Sequence, residues 1–115
     1  MVEVALSQER NSGGEIYWRW YGYDEYQPWC ACFVSWCADQ CGYIDAGIIP
    51  KFAKCSVGAK WFQERGQFES AGYTPKTGDL IFFEWGDGGD LDHVGIVVNA
   101  ENGCVKTIEG NSSNL

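Results

Sequence analysis

Two residues far apart in the chain, Cys30 and His93, hold its most reactive chemistry. Cys30 lies in the run Trp29-Cys30-Ala31-Cys32-Phe33-Val34-Ser35-Trp36-Cys37, where an amphipathic helix is expected to begin. A helix N-terminus carries unpaired N–H groups and partial positive charge, so a thiol placed there ionises more readily, and the thiolate is the reactive form. His93 is the only histidine. An imidazole takes the thiol proton and later returns it to a leaving amine, provided a polar group on its other nitrogen fixes the tautomer. Glu109 and Asn111 are the candidates for that third role. Taken singly, Cys30 reads as one more core cysteine and His93 as a strand-end histidine bonded to solvent. Together the four residues point to a cysteine hydrolase that attacks an amide carbonyl, with the Cys30 N–H as oxyanion donor.

The elements that must position these residues follow from periodicity. Residues 2–10 read as a short helix ended by Asn11-Ser12-Gly13-Gly14, and Tyr17 to Tyr21 as a further helical turn stopped at Gly22. The segment from Tyr23 to Pro28 is a loop entering the main helix, which runs from about Trp29 to Gln40 with Gly42 as its stop. Cys30, Phe33, Val34, Cys37 and Cys41 share one face of it, which sets the nucleophile at the reachable end of a buried stripe. Ser56 is placed to cap a second helix through Trp61 and Phe62, ending near Gly66. Then the period changes to two: strands over 79–85, 93–100 and 104–109, with an acidic, glycine-rich loop at 86–92. Helices first and antiparallel strands after make an α+β fold in one domain, 1–115.

Strand parity sharpens the site. Side chains alternate across a strand, so only one register class puts His93 and Glu109 on one face. A regular two-residue Asn102-Gly103 turn sets them on opposite faces. A three-residue loop, Glu101-Asn102-Gly103, sets His93 opposite Asn111 with Glu109 diagonal on the same face, and it wants glycine at its last position. The three-residue loop is therefore expected, or another odd loop, or a bulge that restores the parity.

Composition excludes several classes. Lys and Arg number 8 against 16 Asp and Glu, a formal charge of −8, which argues against nucleic acid and anionic membranes as partners. No stretch is long and apolar enough to span a bilayer, and Met1-Val2-Glu3-Val4-Ala5 lacks the pattern of a signal peptide. The spacing of the six cysteines matches no zinc pattern. They read as small buried hydrophobes, with a Cys41–Cys55 disulfide as the second reading.

The segments PWCACFVSWCA, PKTGDLIFF, DHVGIV and TIEGNS occur in this order. The set resembles the CHAP domain (cysteine, histidine-dependent amidohydrolase/peptidase), over about residues 15 to 112. Related NlpC/P60 enzymes usually carry Asp before the cysteine and a second His, whereas this chain has Trp29 and a single histidine. The resemblance implies a papain-like fold, N-terminal helices packed on a small antiparallel sheet, with the nucleophile at the start of the main helix. It implies Cys30, His93, Glu109 and Asn111 as functional residues, and a peptidoglycan hydrolase acting as N-acetylmuramoyl-L-alanine amidase or peptide endopeptidase. Such domains occur in phage lysins, secreted bacterial hydrolases and conjugation proteins, so an extracytoplasmic setting and fusion to other domains are expected. The family's sheet normally continues past the E-x-N segment, so a sheet without its last strands is also expected.

The remaining motifs are weaker. Asp87, Asp90 and Asp92, or Asp24 with Glu25, offer oxygens for calcium, but a solvated acidic loop is the simpler reading and no cofactor is expected. Of the aromatics before the nucleophile, Tyr26 and Trp29 flank Cys30 and are the candidates for lining a substrate groove. The rival functions are a catalytically idle wall-binding or assembly module that keeps the fold, and a thiol-redox module on Cys30-Ala31-Cys32, whose one-residue spacer is a poor redox motif.

Overall fold

A computed structural model describes residues 1–8, 14–25, 29–69, 74–83, 93–101 and 104–110. Four helices precede three strands: α1 (Val2–Ser7), α2 (Glu15–Tyr21), α3 (Cys30–Gln40), α4 (Cys55–Glu64), β1 (Leu80–Phe83), β2 (His93–Glu101) and β3 (Cys104–Glu109). The strands form an antiparallel sheet in the order β1-β2-β3, so the molecule is α+β as its changing periodicity implies.

α3 is the centre of the molecule. It packs against β2, β3, α1 and α2. Cys30, Ala31, Cys32, Phe33, Val34, Ser35, Cys37 and Ala38 are all buried, so the helix is covered almost all round and is not the one-faced amphipathic helix of the sequence reading. Small residues make this possible: Ala31, Cys32, Cys37 and Ala38 let neighbouring elements approach the helix closely. α2 contributes Tyr17, whose ring stacks on Trp29 at 5.4 Å and meets Phe33 edge-on at 5.0 Å. Val94, Ile96 and Ile108 supply the sheet's share of the same core.

α4 begins at Cys55, one residue before the expected Ser56 cap, and Lys54 stands at the N-cap without a side-chain hydrogen bond. Its approach is set by a two-way bond. The Ser35 hydroxyl donates to the Phe52 carbonyl at 2.9 Å and accepts from the Phe52 N–H at 3.0 Å. The Phe52 ring then seats over Gly58 of α4, where a Cβ would stand only 2.5 Å from the ring. A serine in the middle of α3 thereby satisfies the backbone of a buried loop residue and delivers the start of α4 to the start of α3.

The hairpin resolves the parity question by a bulge. Glu101 pairs with Cys104 and Asn99 with Lys106, the register of a two-residue connection, so the expected three-residue loop is not what forms. Val97 then pairs with Thr107, leaving Val98 with no residue opposite it, and Gly95 pairs with Glu109. One extra residue in β2 shifts every later pair by one and puts Glu109 on the face of His93.

Candidate active site

Cys30 is the first residue of α3, with Trp29 at the N-cap. As the first residue of the helix, its N–H lies outside the helix's own hydrogen-bond ladder. The side chain is 6 % exposed, more enclosed than the reachable helix end of the sequence reading. Its sulfur has three hydrogen-bond partners. The Cys55 sulfur lies 3.7 Å away, and His93 and the backbone of Val94 also hydrogen-bond to it. The Cys55 bond, outweighing the cost of burial, and the His93 and Val94 bonds pull the Cys30 thiol down to about 5.

The other cysteines of α3 go the opposite way. Burial, followed by the nearby Cys30 charge, pushes Cys32 up to about 11, and burial pushes Cys37 up to about 12. No disulfide forms: Cys55 faces Cys30 and not Cys41. Cys32, Cys37 and Cys55 are buried, while Cys41 is half-buried and Cys104 exposed.

His93 opens β2 and is 3 % exposed. Its Nε2 N–H donates to Glu109 Oε1 at 2.8 Å. Nδ1 is then the nitrogen that faces Cys30. Burial alone would push the imidazole down, but the bond to Cys30, the thiolate charge and Glu109 outweigh it and hold His93 above its ordinary value. Thr107, two residues before Glu109 on the same face of β3, donates its hydroxyl to Glu109 Oε2. Gly95 lies opposite Glu109, and a Cβ there would stand 2.6 Å from Glu109 Cγ. The glycine leaves the space through which the carboxylate crosses to His93.

The site is therefore a relay running Thr107, Glu109, His93, Cys30, with Cys55 on the far side of the sulfur. Cys30, His93 and Glu109 are brought together, while Asn111 and Tyr26 lie outside the described residues. Trp29 does not line a groove. It is 2 % exposed, stacked on Tyr17 and closed in by Gly14 and Gly110, where added Cβ atoms would come within 2.2 and 2.7 Å of its ring. A large aromatic beside a buried helix start is more useful as the wedge that seats the helix. Sequence reasoning missed Cys55, Thr107, Gly95 and Ser35. Their partners are remote in sequence or on the facing strand; only Thr107's spacing from Glu109 signalled a shared face.

No group of three or more metal-binding side chains converges among the described residues. Asp24 and Glu25 are exposed, and Asp87, Asp90 and Asp92 lie outside the described residues. Among those described, no helix is long and apolar enough to cross a membrane.

Comparison with protein families gives a match to the CHAP domain over residues 20–111, most of the chain, and Cys30, Cys55, His93, Thr107 and Glu109 all lie within it. Comparison with curated proteins and with solved structures gave no match. The chain belongs to the CHAP domain family.

Proposed function

From that membership, a family of amidases and peptidases of the cell wall, we propose that the chain is a cysteine hydrolase of peptidoglycan amide bonds. The observation that carries the reading is the arrangement at Cys30: a helix-start sulfur that hydrogen-bonds to a histidine whose Nε2 is bound by Glu109 at 2.8 Å, with the thiol pulled down to about 5. The Cys30 thiolate attacks the amide carbonyl, and the oxyanion that forms is met by the Cys30 N–H. His93 protonates the departing amine, which leaves Cys30 as a thioester. A water deprotonated by His93 then attacks the thioester, the acid is released, and the thiolate–imidazolium pair is regenerated. Glu109 holds the ring in one tautomer and balances the imidazolium, and Asn111 is assigned a supporting role near it. The bond cleaved is the sugar–peptide amide or a peptide bond of the stem or cross-bridge. The domain works outside the cytoplasm, and its acidic surface leaves wall anchoring to fused modules.

The test is incubation of purified sacculi with the wild type and with Cys30→Ala. New amino groups on stem peptides without glycan release identify an endopeptidase, and freed lactyl groups on the glycan identify an amidase. Identical products from the two proteins overturn the hydrolase reading and favour the idle wall-binding module.

A further inference from the structure

We propose that Cys55 is a working member of the catalytic centre, its thiol donating a hydrogen bond to the Cys30 sulfur and holding the nucleophile as an anion. The proposal rests on Cys30 being the nucleophile of the reaction above. Its basis is a juxtaposition the relay itself does not require. Two cysteine sulfurs lie 3.7 Å apart, both buried, each on the first residue of a helix of ten or more residues.

Two helix starts, each with partial positive charge, converge on this pair of sulfurs. The local field favours one negative charge on the pair, while two anions at this distance would repel strongly in a buried setting. One proton is therefore shared between two sulfurs, as in a carboxylate dyad. His93 decides which sulfur is ionised, because it bonds to Cys30. Cys55 stays protonated and its S–H points the charge-assisted bond at the thiolate. Among the described residues, the titratable groups that interact with Cys30 are Cys32 on its own helix, Cys55 on α4, and His93 on β2 with Glu109 behind it on β3. Of these only His93 brings positive charge, and Val94 adds only a neutral backbone bond, so a further side-chain donor has a clear role. Ser35 and Phe52 are what place it there: Phe52, three residues before Cys55, is fastened to α3 on both its N–H and its carbonyl.

The test uses the pH dependence of iodoacetamide alkylation at Cys30, followed by mass spectrometry of the digested protein under reducing conditions. The wild type is expected to alkylate with an acid limb near pH 5. In Cys55→Ala, alkylation at the foot of that limb falls about tenfold, the size of a one-unit shift. Cys55→Ser keeps a donor and recovers most of the rate. Superimposable profiles for wild type and Cys55→Ala overturn the proposal. If Cys55→Ala does not fold by circular dichroism, Cys55→Ser decides alone: a limb near the wild-type position supports the donor role, and one at the ordinary thiol position overturns it. No wall substrate enters this measurement. A Cys55 effect without sacculus hydrolysis keeps the Cys55–Cys30 hydrogen bond but defeats the hydrolase reading and, with it, the catalytic role of Cys55; hydrolysis with superimposable profiles keeps the hydrolase reading and overturns the Cys55 proposal.

Discussion

Glu109 uses both carboxylate oxygens, one on His93 and one on Thr107. That double engagement is what makes a flexible glutamate a fixed orienting group, because each bond removes a rotation that would turn it from the ring. Thr107→Val keeps the β-branched shape that suits a strand and removes only the hydroxyl. A net hydrogen bond of ~1 kcal/mol predicts roughly a fivefold loss of kcat/KM. Thr107→Ser is expected to restore it, and a profile for Thr107→Val indistinguishable from wild type on sacculi would remove Thr107 from the relay. At the same scale, burial separates Cys30 from its neighbours. Burial pushes Cys32 and Cys37 up, and the charges of Lys51 and of the N-terminus, respectively, do not offset it, while Cys30 is pulled down.

Two local devices at the element scale bring the relay together. The Val98 bulge sets the faces of β2 and β3, and the Ser35–Phe52 bonds set the distance between the starts of α3 and α4. Ser35→Ala tests the second. It leaves the buried N–H and carbonyl of Phe52 without their partner, which costs about 1–3 kcal/mol. For a domain near this size each kcal/mol lowers Tm by roughly 4–8 °C, so a calorimetric or circular-dichroism melt is expected to show a clear drop. Alkylation of Cys30 near pH 5 should slow as well, because Cys55 is no longer held against it. An unchanged melt would show that the loop before α4 is held by the Phe52 ring alone.

Stability and pH are linked through the same pair at the scale of the whole molecule. Cys30 has its folded value depressed to about 5, against 9.0 for an ordinary thiol. Its ionisation therefore stabilises the fold fully above the ordinary value, and that contribution is lost as pH falls from there through about 5. His93 is raised above 6.5, so its contribution is complete below 6.5 and is lost as pH rises through the higher folded value. The difference in urea midpoint between wild type and Cys30→Ala is expected to move in favour of the wild type as pH rises from 5 toward 9. A difference that does not change with pH would show that Cys30 is a neutral core thiol.

The sequence by itself singled out Cys30, His93 and Glu109, which the fold brings together, because each is tied to a local signal: a helix start, a strand start and a strand end. It also determined the order of elements, since hydrophobic period changes from helical to alternating once along the chain. It limited the hairpin to two kinds of register, because parity is a property of counting. Only the tertiary structure chose the bulge over the odd loop, since an extra strand residue and an extra loop residue leave the same parity. Only the tertiary structure turned Trp29 inward, closed α3 on nearly every side and set Cys55 at 3.7 Å from Cys30. Those facts depend on which surfaces meet across tens of residues of chain, and burial, more than local propensity, decides the charge and the reach of a sulfur.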